Sequence, residues 1–259
     1  MTAPEPLVRF YDLSGPKPWS PACWCTRFVL NYKGIPYTTT KLSYPTIKPK
    51  CEELFPDMTG LDATVPIIEI LGSNYKALND STPIAHLLNE RFTEEMGYKH
   101  LKNVDFEHPS MAGAGILPWI CHDVYVNCLD PSDGSKEFFK RTREEDWKCE
   151  LKDIMELWGK GEEALLDLIR DRFSRLRERL KDDDGLSERE SSNYTIEMTD
   201  DTTTANILTI ATYWDFYEAA KLKWVEAASP EKYEKLLRLY EDDTFTKLLR
   251  KVEKYSADS

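Results

Sequence analysis

The chain is short of everything that would tie it to a metal, a membrane or an oxidised compartment. Its 259 residues include only four histidines, His86, His100, His108 and His122, at no metal-ligand spacing, so no metal is expected. Six cysteines (Cys23, Cys25, Cys51, Cys121, Cys128, Cys149) are too few for a disulfide framework and form no pair of C-x-x-C motifs; reduced thiols are the expectation. No stretch approaches the roughly 20 apolar residues that span a bilayer. Met1-Thr2-Ala3-Pro4 does not open a charged-then-apolar leader. A soluble, cytoplasmic protein follows. Positive charge is also scarce: 34 Lys and Arg face 46 Asp and Glu, a formal charge of −12. The excess lies beyond residue 100, with 24 basic against 35 acidic residues, compared with 10 and 11 before it. Such a balance argues against nucleic acid and anionic membranes as partners.

What the chain does have is material for a core, 41% apolar and 12% aromatic residues, enough for one large domain or two modest ones. The pattern divides near residue 95. Before it, residues 7–13, 37–42, 65–71 and 75–78 read as strands; 23–33, 51–55 and 82–91 read as helices, the first stopped by Gly34 and Pro36. Strand, helix, strand, helix, strand, strand, helix is the order of a thioredoxin-like α/β domain. After it the period is helical. Trp147, Leu151, Ile154 and Trp158 share one face, Leu165, Ile169, Leu176 and Leu180 another, and residues 203–217 and 232–254 read as two more helices. Asp182 to Ser192 is a solvated, mixed-charge break. The expected architecture is a thioredoxin-like domain, residues 1–95, followed by an all-helical domain, residues 96–259. Trp119, Tyr125, Trp147, Trp158 and Trp214 are expected mostly in the core, one or two of them lining an apolar pocket.

Three short segments carry chemistry. Val65-Pro66 precedes the apolar run Ile67, Ile68, Ile70, Leu71, which suggests a cis bond at a strand entry and a Val65 backbone free to pair outside the sheet. Asp80-Ser81 opens a helical stretch, where N–H groups and the macrodipole favour a bound carboxylate. In Trp19-Ser20-Pro21-Ala22-Cys23-Trp24-Cys25, Ser20 stands at a helix start where a redox enzyme has the first cysteine of C-x-x-C; a hydroxyl there can donate to a neighbouring sulfur. Each has a plainer reading: a strand-entry proline, a helix cap, and Ser20 as cap ahead of Pro21 at the first helical position.

Together, in this order and spacing, these segments resemble the glutathione site of the glutathione transferases. The run from Trp19 to Tyr37 looks like the fungal, β-etherase-related FuA class, and Phe138-Phe139-Lys140-Arg141-Thr142-Arg143-Glu144 is similar to a segment of the same class. Thr203-Thr204-Ala205-Asn206-Ile207 resembles the capping motif of the family's core helix. The resemblance implies the glutathione transferase fold, glutathione as co-substrate and a homodimer. It implies binding through the Val65 backbone ahead of cis Pro66 and through Asp80 and Ser81, with Ser20 as the catalytic hydroxyl. An electrophilic, aromatic second substrate would be conjugated or reductively cleaved; aryl-ether cleavage, peroxidase activity and detoxification enter on family likeness alone. The chain departs from the class at Ala22 and Cys25, where Asn and Lys are usual, at Asp80, where Glu is usual, and at Asn206, where Asp is usual. Two rivals stay open: a ligandin-like protein that sequesters phenolics with weak turnover, and a glutathione-dependent thiol oxidoreductase using Cys23.

Overall fold

The computed structural model of the chain describes residues 5–56, 63–73, 77–105, 115–184 and 211–257. Four strands, β1 (Val8–Leu13), β2 (Tyr37–Leu42), β3 (Ile67–Ile70) and β4 (Leu78–Asn79), form one sheet in the order β2-β1-β3-β4. β1 and β2 are parallel, with Val8 opposite Tyr37 and Leu13 opposite Leu42; β1–β3 and β3–β4 are antiparallel. α1 (Pro21–Lys33) crosses from β1 to β2, α2 (Tyr44–Leu54) follows β2, and α3 (Ser81–Arg91) follows β4. This is the mixed thioredoxin-like sheet expected from the sequence. Seven helices come next among the described residues: α4 (Ile116–Asn127), α5 (Ser135–Trp147), α6 (Ile154–Leu157), α7 (Glu162–Asp184), α8 (Tyr213–Ala228), α9 (Pro230–Leu237) and α10 (Thr244–Val252).

α1 is the centre of the molecule. Ser20 caps it, Pro21 opens it, and Gly34 closes it at φ 70°, with Gly34 and Ile35 N–H donating to the carbonyls of Asn31 and Leu30. All of its residues except Ala22 and Asn31 are buried, because one face lies on the sheet and another on α8. The α8 contact is aromatic: Phe28 stacks on Phe216 with centroids 5.4 Å apart, and Tyr32 meets Phe216 and Tyr255 edge-on at 5.5 and 5.2 Å. Such pairs add roughly 0.5–1.5 kcal/mol each beyond area burial.

The face of Leu165, Ile169, Leu176 and Leu180 is buried on α7 as the spacing suggests. Other helical expectations are corrected. Trp147 and Trp158 do not share a helix: Lys148, at φ 57°, ends α5, and a 3₁₀ turn at Leu151–Asp153 leads into the single turn of α6. Trp158 returns to Trp147 from outside, its Nε1 donating to the Trp147 carbonyl at 2.7 Å, and it is 57% exposed rather than core. Trp119 is core; Tyr125, Trp147 and Trp214 are only partly buried. Residues 232–254 divide into α9 and α10, because the Asp242 carboxylate accepts the Thr244 N–H at 3.1 Å and so starts a new helix. α2 begins at Tyr44, seven residues earlier than expected: Pro45 fits the first turn, where its missing donor is no loss.

The capping motif read at Thr203 to Ile207 lies outside the described residues, as does the polar break from 185 on. Among the described residues the capping box stands at Thr212 and Asp215. Thr212 Oγ1 accepts the Asp215 N–H, and Asp215 accepts the Thr212 N–H at 2.8 Å. Asp215 is also fully buried, held by Arg179 and lying 3.6 Å from Lys251. Thr212→Ala should therefore cost about 1 kcal/mol, the value of a cap, while Asp215→Ala should cost about 3–5 kcal/mol, the scale of orphaning buried partner charges. Urea unfolding of both variants checks the order; equal losses would mean that Asp215 acts only as a cap.

Candidate functional site

The site grows from chain ends that leave the sheet along one edge. β1 ends at Leu13 and runs through the turn that carries Ser20 into α1; β3 starts at Ile67, paired with Tyr11, so Val65 and Pro66 emerge beside that turn. The Val65–Pro66 bond is cis. Val65 precedes the ladder, and its carbonyl accepts the Thr64 hydroxyl at 3.2 Å. The Pro66 carbonyl accepts the Asp80 N–H at 3.1 Å, which seats the start of α3 against the proline. Of the residues singled out in the sequence, Val65, Pro66, Asp80 and Ser81 are thus brought directly together, and Ser20 lies along the same edge through the β1–β3 register.

Ser20 is buried, 6% exposed, and its Oγ accepts the Cys23 N–H at 3.4 Å. The capping role read from the sequence is therefore present. A hydroxyl that accepts still has its own proton to donate, so the cap and a hydrogen bond to an incoming sulfur are compatible. Asp80 is exposed and sits at φ 72°, ψ 133°, a region populated almost only by glycine. Its carboxylate makes no cap to α3 and faces outward, while the adjacent Ser81 is 3% exposed. An exposed carboxylate next to a buried hydroxyl and the free N–H groups of a helix start can hold an ammonium and a carboxylate together, the two charges of an α-amino acid terminus.

The two neighbouring thiols are poor nucleophiles. Cys23 is 1% exposed, and burial, with Asp12 adding to it, pushes its thiol well up; burial takes Cys25 up to about 12. Thiolate chemistry requires the opposite shift, so the geometry weighs against the Cys23 oxidoreductase reading. Arg27 and Tyr11 belong to the packing. The Arg27 guanidinium donates to the Asp12 carboxylate at 2.7 Å with both side chains buried, and the Tyr11 hydroxyl donates to Glu69 at 2.5 Å. His86, His100 and His122 are not buried, and among the described residues no group of three or more His, Cys, Asp or Glu could hold a metal.

Sequence reasoning missed the wall that the helical part places beside the Ser20 turn. The Ser14 hydroxyl hydrogen-bonds Asp133, and Gly15 packs so closely that a Cβ would stand 2.3 Å from the Cys128 carbonyl. The Tyr44 ring lies between Trp19 at 6.3 Å and Phe138, on which it stacks at 5.5 Å, with Phe139 at 5.9 Å. Phe138-Phe139 had been singled out for family likeness, not for position. Their adjacency in a charged helix was the available signal. Tyr213, whose hydroxyl reaches Thr82 Oγ1 at 3.0 Å, was also missed.

Residues 19–91 match the family described as glutathione S-transferase, N-terminal domain. A curated relative, the glutathione S-transferase-like protein ustS of Aspergillus flavus, is 29% identical over 179 residues, 63% of this chain and 64% of that protein, so the match covers less than two thirds of the relative's length. Among solved structures, a glutathione S-transferase of Ceriporiopsis subvermispora in complex with glutathione superposes with a TM-score of 0.72 at 25% identity, over 98% of this chain and 99% of the other. Glutathione transferase GSTFuA2 of Phanerochaete chrysosporium gives 0.73 at 22% identity, over 98% and 100%. GSTFuA3 of the same organism gives 0.70 at 22%, over 98% and 99%.

The backbone at Asp80 yields a prediction in which stability and binding move oppositely. Asp80→Gly should raise stability by about 1 kcal/mol, since glycine adopts this φ and ψ freely. It should also weaken glutathione binding by roughly tenfold, the scale of a lost charged hydrogen bond. Asp80→Ala should lose the affinity without the gain. Thermal melts and calorimetry on the pair decide it; a destabilised Asp80→Gly with unaltered affinity would contradict both halves.

Proposed function

With residues 19–91 in the glutathione S-transferase N-terminal family and the fold that of fungal FuA-class glutathione transferases, we propose that this chain binds glutathione and transfers its sulfur to an electrophilic aromatic substrate. The observation that carries the reading is the meeting of three devices at one sheet edge: the Val65 backbone beside cis Pro66, the Asp80–Ser81 helix start, and Ser20 at the head of α1. In this reading Asp80 takes the glutamyl ammonium and Ser81 the glutamyl carboxylate. The Val65 backbone pairs with the cysteinyl unit. The Ser20 proton points to the sulfur, and the positive end of α1 adds to its stabilisation as a thiolate. The thiolate attacks the electrophilic carbon; a carbon–sulfur bond forms and the leaving group departs with its electron pair. For an aryl ether that leaving group is a phenolate. Tyr44 and Phe138, partly buried and backed by the buried rings of Trp19 and Phe139, offer apolar surface for such a substrate beside the Ser20 turn. The division of labour then follows the fold, residues 1–95 holding glutathione and 96–259 the second substrate. A homodimer in the cytoplasm, as in the family at large, completes the proposal.

One observation favours a second reading, a binding protein with weak turnover. Position 25, where the class usually has lysine, is here a buried cysteine, and position 22 is alanine, so neither places a polar group beside the sulfur.

Conjugation of a generic aryl halide, run alongside displacement of a dye by phenolics, separates the two. Ser20→Ala should lower the conjugation rate by a factor of roughly 10–1000, the range for one preorganised donor to an anion, with glutathione still bound. Cys23→Ser should leave it unaltered. Tight phenolic binding with no conjugation above background in the wild type would favour the sequestering protein; loss of activity in Cys23→Ser with retention in Ser20→Ala would restore the thiol mechanism.

A further inference from the structure

The wall beside the Ser20 turn carries charge as well as rings. Phe138 and Phe139, on α5, both pack against Tyr44, with centroids 5.5 and 5.9 Å from its ring. Each phenylalanine is overlaid in turn by an arginine about one turn further along the helix. The Arg141 guanidinium stands 5.4 Å from the Phe138 centroid, and that of Arg143 stands 5.2 Å from the Phe139 centroid. Residues three and four apart are neighbours on a helix surface, so both cations lie at the rim of the aromatic surface. Neither is taken up by a strong partner. Arg141 donates to Glu145 at 3.3 Å and Arg143 to Asp146 at 3.4 Å, both exposed carboxylates on the same helix, and exposed pairs of this kind hold their partners weakly. The acidic side chains nearer the wall are engaged elsewhere: Asp133 accepts from the Ser14 hydroxyl, and Glu144 accepts the Leu151 N–H at 3.1 Å. Arg143 differs from Arg141 in depth. Its side chain is 28% exposed against 58%, and its Nε is buried with no hydrogen-bond partner among the described residues. Its charge also reaches the Tyr44 phenol, where it opposes the burial that pushes that group up.

We propose that the second substrate is an aromatic carboxylate, its ring laid on Tyr44 and Phe138 and its carboxylate held by Arg143, with Arg141 adding attraction at the rim. This rests on the reading of the chain as a glutathione transferase whose second substrate meets this wall. Three features select the class. A guanidinium presents a planar fork of donors that matches the two oxygens of a carboxylate, whereas a phenolate offers one. A partly buried cation is screened less than an exposed one, so an anion gains more at Arg143 than on the open surface. In a chain of formal charge −12 an anionic ligand meets long-range repulsion, so its capture needs fixed cations, and these two stand on the aromatic wall. Arg143 touches no reacting atom. The glutathione thiolate attacks the ring carbon, a carbon–sulfur bond forms and the leaving group departs with its electron pair, while the arginine selects which aromatic molecule is in place. It is a specificity-determining residue.

The test compares a chlorodinitrobenzoate with its uncharged amide, two electrophiles of similar shape that lose chloride to the glutathione thiolate, each rate divided by that of the uncatalysed reaction. The wild type should prefer the acid by about tenfold in kcat/KM, mainly through KM, the scale of one charged hydrogen-bonded contact. Arg143→Gln should bring the preference close to unity. Arg141→Gln should lower it by about twofold, the scale of an exposed charge. Arg143→Lys, which keeps the charge and loses the fork, should fall between wild type and Arg143→Gln. The preference is a ratio, so a general loosening of the wall lowers both rates and leaves it where it was. A ratio near unity in the wild type, or one that Arg143→Gln leaves unaltered, overturns the proposal while glutathione transfer stands. Should Arg143→Gln not fold, Arg143→Lys decides alone, and an unaltered ratio there overturns the proposal. If the wild type conjugates neither compound, the transfer reading fails, and displacement of an uncharged dye by the same pair decides the subsite. Stronger displacement by the acid, lost in Arg143→Gln, supports it; equal displacement overturns it.

Discussion

The ion pair between Arg27 and Asp12 is the constraint on which the rest of the structure depends. α1 lies between a sheet and a helix, so its single arginine has no route to water, and a lone buried charge is not tolerated. Asp12, next to the last residue of β1, supplies the counter-charge. One of its oxygens accepts Arg27 at 2.7 Å and Lys41 at 2.8 Å, and the other accepts the Leu13 N–H at 2.7 Å. The arginine also lies over the rings of Phe10 and Trp24, at 5.3 and 5.5 Å. Helix and strand are thereby clamped on either side of the turn that contains Ser20. A loop tied at both ends to one buried pair is how a hydroxyl can be presented with little freedom on an otherwise irregular segment.

The second half of the site is fixed by different means. The Pro66 carbonyl holds the Asp80 N–H, and Asp80 occupies a backbone conformation in which any side chain costs about 1–3 kcal/mol. Glycine would relieve it. Its carboxylate is exposed and makes no cap to its own helix, which in the proposed reading leaves it for the glutamyl ammonium. The helical domain braces both halves, through Asp133 and Ser135 on the Ser14 and Tyr44 side and through Tyr213 under α3.

The sequence made the order of strands and helices along the first domain and the local settings of Ser20, Val65, Pro66, Asp80 and Ser81 legible because local signals mark them: proline at a strand entry, serine ahead of proline, an acid and a serine before a helix. It was least legible where helices meet. Trp147, Leu151, Ile154 and Trp158 satisfy a helical period, yet they sit on three elements, because Lys148 turns left-handed and Trp158 folds back onto Trp147. Periodicity cannot see a chain reversal that restores the same neighbours. The capping box at Thr212–Asp215 was overlooked because much of what Asp215 does there depends on tertiary partners, Arg179 and Lys251, that local spacing does not show.

The central claim is that the head of α1, through the Ser20 hydroxyl, stabilises a glutathione thiolate. Titrating the ultraviolet absorbance of bound glutathione thiolate against pH in the wild type and in Ser20→Ala tests it most directly. The account predicts that the wild-type complex titrates below the ordinary thiol value of about 8.5 and that Ser20→Ala moves the midpoint up while glutathione remains bound. Superimposable titrations of the two proteins would contradict it, leaving Ser20 as a helix cap and nothing more.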